Sequence, residues 1–237
     1  EFHQPAGHDK FIGVAKVLRT AKPPKHWMPR PEDSEAMAAD PDFRHVWVGY
    51  ELLQLICRYK ADLSSIGQCR RHHRMSGWPE TESIESLARL PDGRFVAIAE
   101  GAPGRKGGRE MLLFNGDPAE AKTRRPERMS YIPPVGYDPT DALYIGNGKM
   151  LVLNRRATLY DGFTAVLKLV DISHLKPDAV ITGPEIAHFA PPVLADNFEG
   201  LALEHVGGQR ILWMVSDDNH LLLQRTLLLK FALPEDL

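Results

Sequence analysis

Short apolar runs separated by turn residues recur from about residue 35 to the end of the chain. Val46-Trp47-Val48-Gly49-Tyr50-Glu51, Leu55-Ile56-Cys57-Arg58-Tyr59, Phe95-Val96-Ala97-Ile98-Ala99-Glu100, Met150-Leu151-Val152-Leu153 and Ile211-Leu212-Trp213-Met214-Val215 are rich in β-branched and aromatic residues. Such runs predict strands rather than helices. Asp40-Pro41-Asp42, Pro91-Asp92-Gly93-Arg94, Gly146-Asn147-Gly148 and Gly207-Gly208 stand between them, with proline and glycine where tight turns need them. The pattern is all-β, built from consecutive antiparallel hairpins.

The hairpins repeat. Glu35-Ala36-Met37-Ala38, Glu85-Ser86-Leu87-Ala88, Asp141-Ala142-Leu143-Tyr144 and Glu199-Gly200-Leu201-Ala202 share an order of acid, small residue, apolar residue, then usually alanine. The steps between them are 50, 56 and 58 residues. Self-similarity at that period marks a repeat architecture. The reading is a β-propeller of four-stranded antiparallel blades, with four clear repeats and a partial one at the N-terminus. Arg128-Met129-Ser130-Tyr131-Ile132 and Glu185-Ile186-Ala187-His188-Phe189 supply outer strands for the second and third repeats. The last repeat has three strands of its own, and Ile12–Leu18 is the candidate for the fourth, closing the ring and removing exposed edges. Residues 1–237 read as one domain, and Glu1-Phe2-His3-Gln4 reads as an incomplete beginning.

In a meander whose first strand is innermost, the start of strand one and the end of strand two lie on one face. That places Glu35, Glu85, Asp141 and Glu199 at one mouth of the central channel, with Glu51, Glu100, Asn154, Arg155, Asp217 and Asp218 just outside. Converging carboxylates repel one another unless a cation, water or arginine compensates. Oxygen donors of this kind suit a hard cation such as calcium, so Glu35, Glu85, Asp141, Glu199 and Asp217 are the candidate metal ligands. Arg155, Arg156 and Arg225, with Asn197 and Asn219, are the candidate substrate contacts, because guanidinium forks match phosphate oxygens. Glu199, Asp217, Arg155 and Arg225 are the candidate catalytic residues. Structural use of the acids, as turn caps or channel lining, is the competing reading.

Composition narrows this. A formal net charge of −2 argues against a generally basic nucleic-acid binder. No apolar run approaches the ~20 residues a membrane helix needs. Of the two cysteines, Cys57 reads as a small buried hydrophobe in a strand, and a Cys57–Cys69 disulfide stays open. Cys69-Arg70-Arg71-His72-His73-Arg74 lacks a second ligand pair for zinc and reads as a basic surface loop. Gly101–Gly108 is followed by a strand, so it is not a phosphate-cradling loop of the strand–loop–helix kind. No Gly-x-Ser-x-Gly elbow is present, which leaves serine-esterase chemistry without support. His220, beside Asp217-Asp218-Asn219, is the one histidine placed to carry a proton.

Asp196-Asn197-Phe198-Glu199-Gly200-Leu201-Ala202, Ser216-Asp217-Asp218-Asn219, Gln224-Arg225-Thr226-Leu227-Leu228 and Glu82 through Arg94 resemble the phytase-like domain family, labelled "esterase-like activity of phytase". The resemblance covers roughly residues 33–233. It implies a β-propeller of five or six blades, commonly exported by bacteria to the periplasm or medium. It also implies relation to propeller phytases, which are calcium-dependent phosphomonoester hydrolases, and hence a small anionic ester as substrate. This chain lacks the Asp-rich turn usual after a strand like Phe11-Ile12-Gly13-Val14. Two functions follow as expectations: a metal-assisted ester hydrolase, or a non-catalytic propeller binding a ligand or protein partner.

Overall fold

Connections between successive apolar runs are short, so neighbouring strands pair antiparallel wherever a tight turn joins them. The computed structural model describes residues 34–63, 66–192, 194–219, 224–235 and 237. The expected strand at Ile12–Leu18 and His220 lie outside them. The first sheet orders β1 (Ser34–Ala39), β2 (His45–Tyr50), β3 (Leu55–Lys60) and β4 (Ile66–Arg71) in sequence. The second contains β5 (Ile84–Arg89), β6 (Phe95–Pro103), β7 (Arg109–Phe114) and β8 (Glu127–Tyr131). The third contains β9 (Asp138–Gly146), β10 (Lys149–Thr158) and β11 (Gly162–Asp171), with β13 (Glu185–Phe189) at its outer edge. The fourth has β14 (Phe198–Val206), β15 (Gln209–Ser216) and β16 (Leu228–Ala232). The four sheets are blades of a β-propeller, with β1, β5, β9 and β14 innermost.

Each pair of neighbouring blades encloses its own core. Trp47, Ile56, Trp78, Ile84 and Phe114 fill the space between the first and second blades. Ile98, Met111, Tyr131, Met150 and Val170 fill that between the second and third. Leu153, Leu167, Phe189, Phe198 and Leu212 fill that between the third and fourth. Side chains on both faces of an inner sheet are therefore apolar, which is why the runs read as near-continuous rather than alternating. Gly49 lets β2 approach the second blade: a Cβ there would meet Ile84 Cδ1 at 3.0 Å.

Three features depart from the sequence reading, and the open question of Cys57 and Cys69 is answered. Val180–Ile181 forms a short β12 that joins the second blade parallel to β8, giving that sheet five strands. Cys69, Arg70 and Arg71 belong to β4 rather than to a surface loop. Cys57 is fully buried but not free: it faces Cys69 across β3 and β4 and is bonded to it. His72 is buried, donates to the Pro118 carbonyl at 2.7 Å and meets the Phe114 ring edge-on. Burial pushes its pKa down to about 4, so it stays neutral.

Candidate functional site

The acids at the mouth stand where a register break puts them. In β1, β5 and β14 the ladder to the second strand skips one residue, and the skipped residues are Glu35, Glu85 and Glu199. In β9 the skipped residue is Thr140, between Pro139 opposite Asn154 and Asp141 opposite Leu153. A bulge aims its extra residue away from the ladder, here at the same level in every blade. Asp141 is therefore not the counterpart of the three glutamates; it corresponds to Ala36, Ser86 and Gly200, one residue on. On the second strands, the residues one beyond the pair that follows the break correspond likewise: Glu51, Glu100, Arg155 and Asp217. The third blade thus carries Thr140 and Arg155 where the other three carry two acids.

That substitution organises the site. Arg155 Nη1 donates to Glu199 Oε1 at 2.5 Å and to Asn197 Oδ1 at 2.6 Å, while Nη2 donates to Glu100 Oε1 at 2.9 Å. One guanidinium in the third blade so ties acids of the second and fourth. Asn197, fully buried, donates from Nδ2 to Glu199 Oε1 at 2.7 Å and to the Asp217 carbonyl at 3.2 Å. Burial raises the pKa of Glu199 and of Glu100, and Arg155 opposes the rise in both. At Glu85 the opposing pull of Arg155 is the smallest influence. Burial, then Glu100, Glu35 and Glu51, push the Glu85 pKa up to about 9.

Asp141 serves the backbone. Its carboxylate accepts from Ala142 N–H and from Leu201 N–H of the fourth blade, each at 2.7 Å. Burial nonetheless raises its pKa to about 8. Glu51 does a similar job between the first and second blades, accepting from Ser83 N–H at 2.9 Å.

A cavity of about 550 Å³ opens between the first and fourth blades. Glu35 and Met37 form one side, Trp213 and Asp217 the other, and Asp141 and Glu199 lie between them in the lining. Four of the five predicted metal ligands thus share one cavity; Glu85 is not among its lining residues. Among the described residues no three His, Cys, Asp or Glu side chains stand where one ion would reach them all. Asp141 is turned to two amides and Glu199 to Arg155 and Asn197. The described residues do not fit the calcium cage that the resemblance implies, and no step below runs through a metal.

Three of the five predicted substrate contacts are held by partners of their own, while Arg155 and Asn197 meet at Glu199. Arg225 pairs with Asp196 at 3.1 Å. Arg156 lies over the Tyr137 ring at 4.8 Å and reaches Asp161 at 3.3 Å. Asn219 donates to Gln224 Oε1 at 3.0 Å. In the glycine-rich loop, Arg105 stands 3.6 Å from Asp178, and Arg109, which opens β7, is paired with Asp138. Thr140, Met37 and Trp213 were not singled out from the sequence. The bulge leaves no mark on composition, and Met37 and Trp213 read simply as strand residues.

The family model described as Phytase-like, "Esterase-like activity of phytase", matches residues 5–220. No curated protein matches significantly. Among solved structures, Saccharomyces cerevisiae Sqt1 aligns with a TM-score of 0.40 at 12% identity, covering 84% of this chain and 46% of that one. The β-propeller domain of Myceliophteria thermophila Cps50 (Swd1) gives 0.36 at 10%, covering 77% and 49%. Kuenenia stuttgartiensis hydrazine synthase gives 0.35 at 9%, covering 81% and 58%. The chain spans about half the length of these solved chains.

Proposed function

The chain belongs to the Phytase-like family, described by its esterase-like activity, and on that premise we propose that it hydrolyses esters in the cavity between the first and fourth blades. One observation carries the reading: Glu199 lines that cavity while Arg155 and Asn197 hold its carboxylate in place. A base oriented by two donors, with its pKa raised by burial above the usual carboxylate range, suits general-base work. Glu199 takes a proton from water as the water oxygen bonds to the ester centre. It returns that proton to the leaving oxygen as the ester bond breaks. Asp217, exposed on the same rim, orients the water. Arg225 holds Asp196 and so supports the turn that carries Asn197. An exported location is part of this proposal, because a structural disulfide persists in oxidising compartments.

The test is hydrolysis of p-nitrophenyl butyrate and p-nitrophenyl phosphate, each with added calcium and with chelator. Turnover above background that falls about 100-fold in Glu199→Gln, with melting little changed, is the expected result. Background rates in every condition overturn the proposal. A binding role without turnover has one observation behind it: Asp141 and Glu51 spend their carboxylates on backbone amides between blades. Under that reading Glu199→Gln and Asp217→Asn alter melting and nothing else.

A further inference from the structure

The cavity wall is largely apolar. Met37, Val215 and Leu228 line it, and all three are among the exposed large hydrophobic side chains of the described residues. A ligand that covers them gains burial that the described residues do not supply. Charge then selects the ligand. Glu35 and Asp217 lie in the same lining, beside Asp141, which two backbone amides hold, and Glu199, which Arg155 and Asn197 hold; the lining contains no arginine, lysine or histidine among the described residues. The nearby guanidinium groups are committed: Arg155 to Glu100, Glu199 and Asn197, and Arg225 to Asp196. Turning either toward a phosphate would strand the carboxylates it now holds.

We infer that the ester taken by this cavity carries a cationic group on an apolar body, as quaternary-ammonium and amino-alcohol esters do, rather than a phosphate. The inference rests on the cavity being the site proposed above. The apolar body packs on Met37, Val215 and Leu228, and the cation faces the rim carboxylates Glu35 and Asp217. A phosphate dianion brought to the same place meets carboxylates in a partly dry site, where like charges repel more strongly than in water.

Binding and turnover are measured separately. Calorimetric titration with benzyltrimethylammonium, benzyl alcohol and phenyl phosphate reads charge preference without hydrolysis. The cation is expected to bind about tenfold tighter than phenyl phosphate, and less tightly at high salt. Glu35→Gln and Asp217→Asn, both at exposed positions, are expected to weaken the cation about threefold each and to leave benzyl alcohol unchanged. Phenyl phosphate binding as tightly as the cation, or cation affinity indifferent to both variants, overturns the inference. Butyrylthiocholine and p-nitrophenyl phosphate then serve as substrates. Cation binding without turnover of any ester retains the inference and removes the hydrolase. Turnover of the phosphate ester alone retains the hydrolase and removes the inference.

Discussion

Glu85 shows what a carboxyl costs when burial and neighbouring carboxylates outweigh the pull of Arg155. Its pKa rises from 4.5 to about 9, so between those values the folded chain keeps a proton that the unfolded chain has released. Stability conferred by this group is full below the unfolded value and is lost as pH rises toward 9. Asp141, raised to about 8, adds the same sign. Glu85→Gln removes the larger share of this slope. It is expected to gain about 2 kcal/mol near pH 8 relative to the wild-type chain, and almost nothing at pH 4.5, in urea unfolding at both pH values. Arg155→Gln does the reverse. It leaves Glu100 and Glu199 unpaired in a half-buried site, and an expected loss of about 2 kcal/mol is read by the same experiment.

At the scale of the strand, the sequence showed the repeat but not its phase. Apolar runs and turn residues located nearly every strand, because blade cores on both faces impose a strong pattern. The bulge carries no residue signature, so Asp141 looked like the third-blade counterpart of Glu35, Glu85 and Glu199 when Thr140 is. The pairing of charges was equally hidden: Arg155 meets Glu100 and Glu199 only once three blades stand side by side. Cys69, Arg70 and Arg71 looked like loop because polar residues dominate them. They form an outer strand whose Arg70 donates to the carbonyls of Glu120 and Thr123, each at 2.7 Å. The bond from Cys57 to Cys69 fixes that strand to its neighbour, and the two cysteines are 12 residues apart. Replacing both by alanine is expected to cost about 3 kcal/mol, seen as a fall in melting temperature that reductant reproduces in the wild-type chain.

Across the whole molecule, order is uneven. Strands β6 and β7 are buried over most of their length and β10 over half of it, whereas β14 and β16 are mostly half-buried or exposed. Amide exchange follows burial and hydrogen bonding. Mass-spectrometric hydrogen exchange is expected to show β14 and β16 opening well before β7 and β10; equal protection in all four blades contradicts this. The candidate site thus joins a firm part, which holds Arg155, to a looser part, which holds Glu199 and Asp217. Closure of the cavity on a ligand is expected to slow exchange in β14 above all.

Strand β12 gives these sheets an unusual seam. Val180 and Ile181 leave the third blade, align with Ser130 and Tyr131 of the second, and the chain then returns to place Glu185–Phe189 on the third. The two middle blades are therefore interlaced like stitched cloth. A gene split at residues 132–137, where the repeat invites a cut, would part β12 from β8 and leave it without a sheet in the C-terminal fragment. One made after residue 189 keeps the stitch intact, and that is the place to divide the chain for complementation.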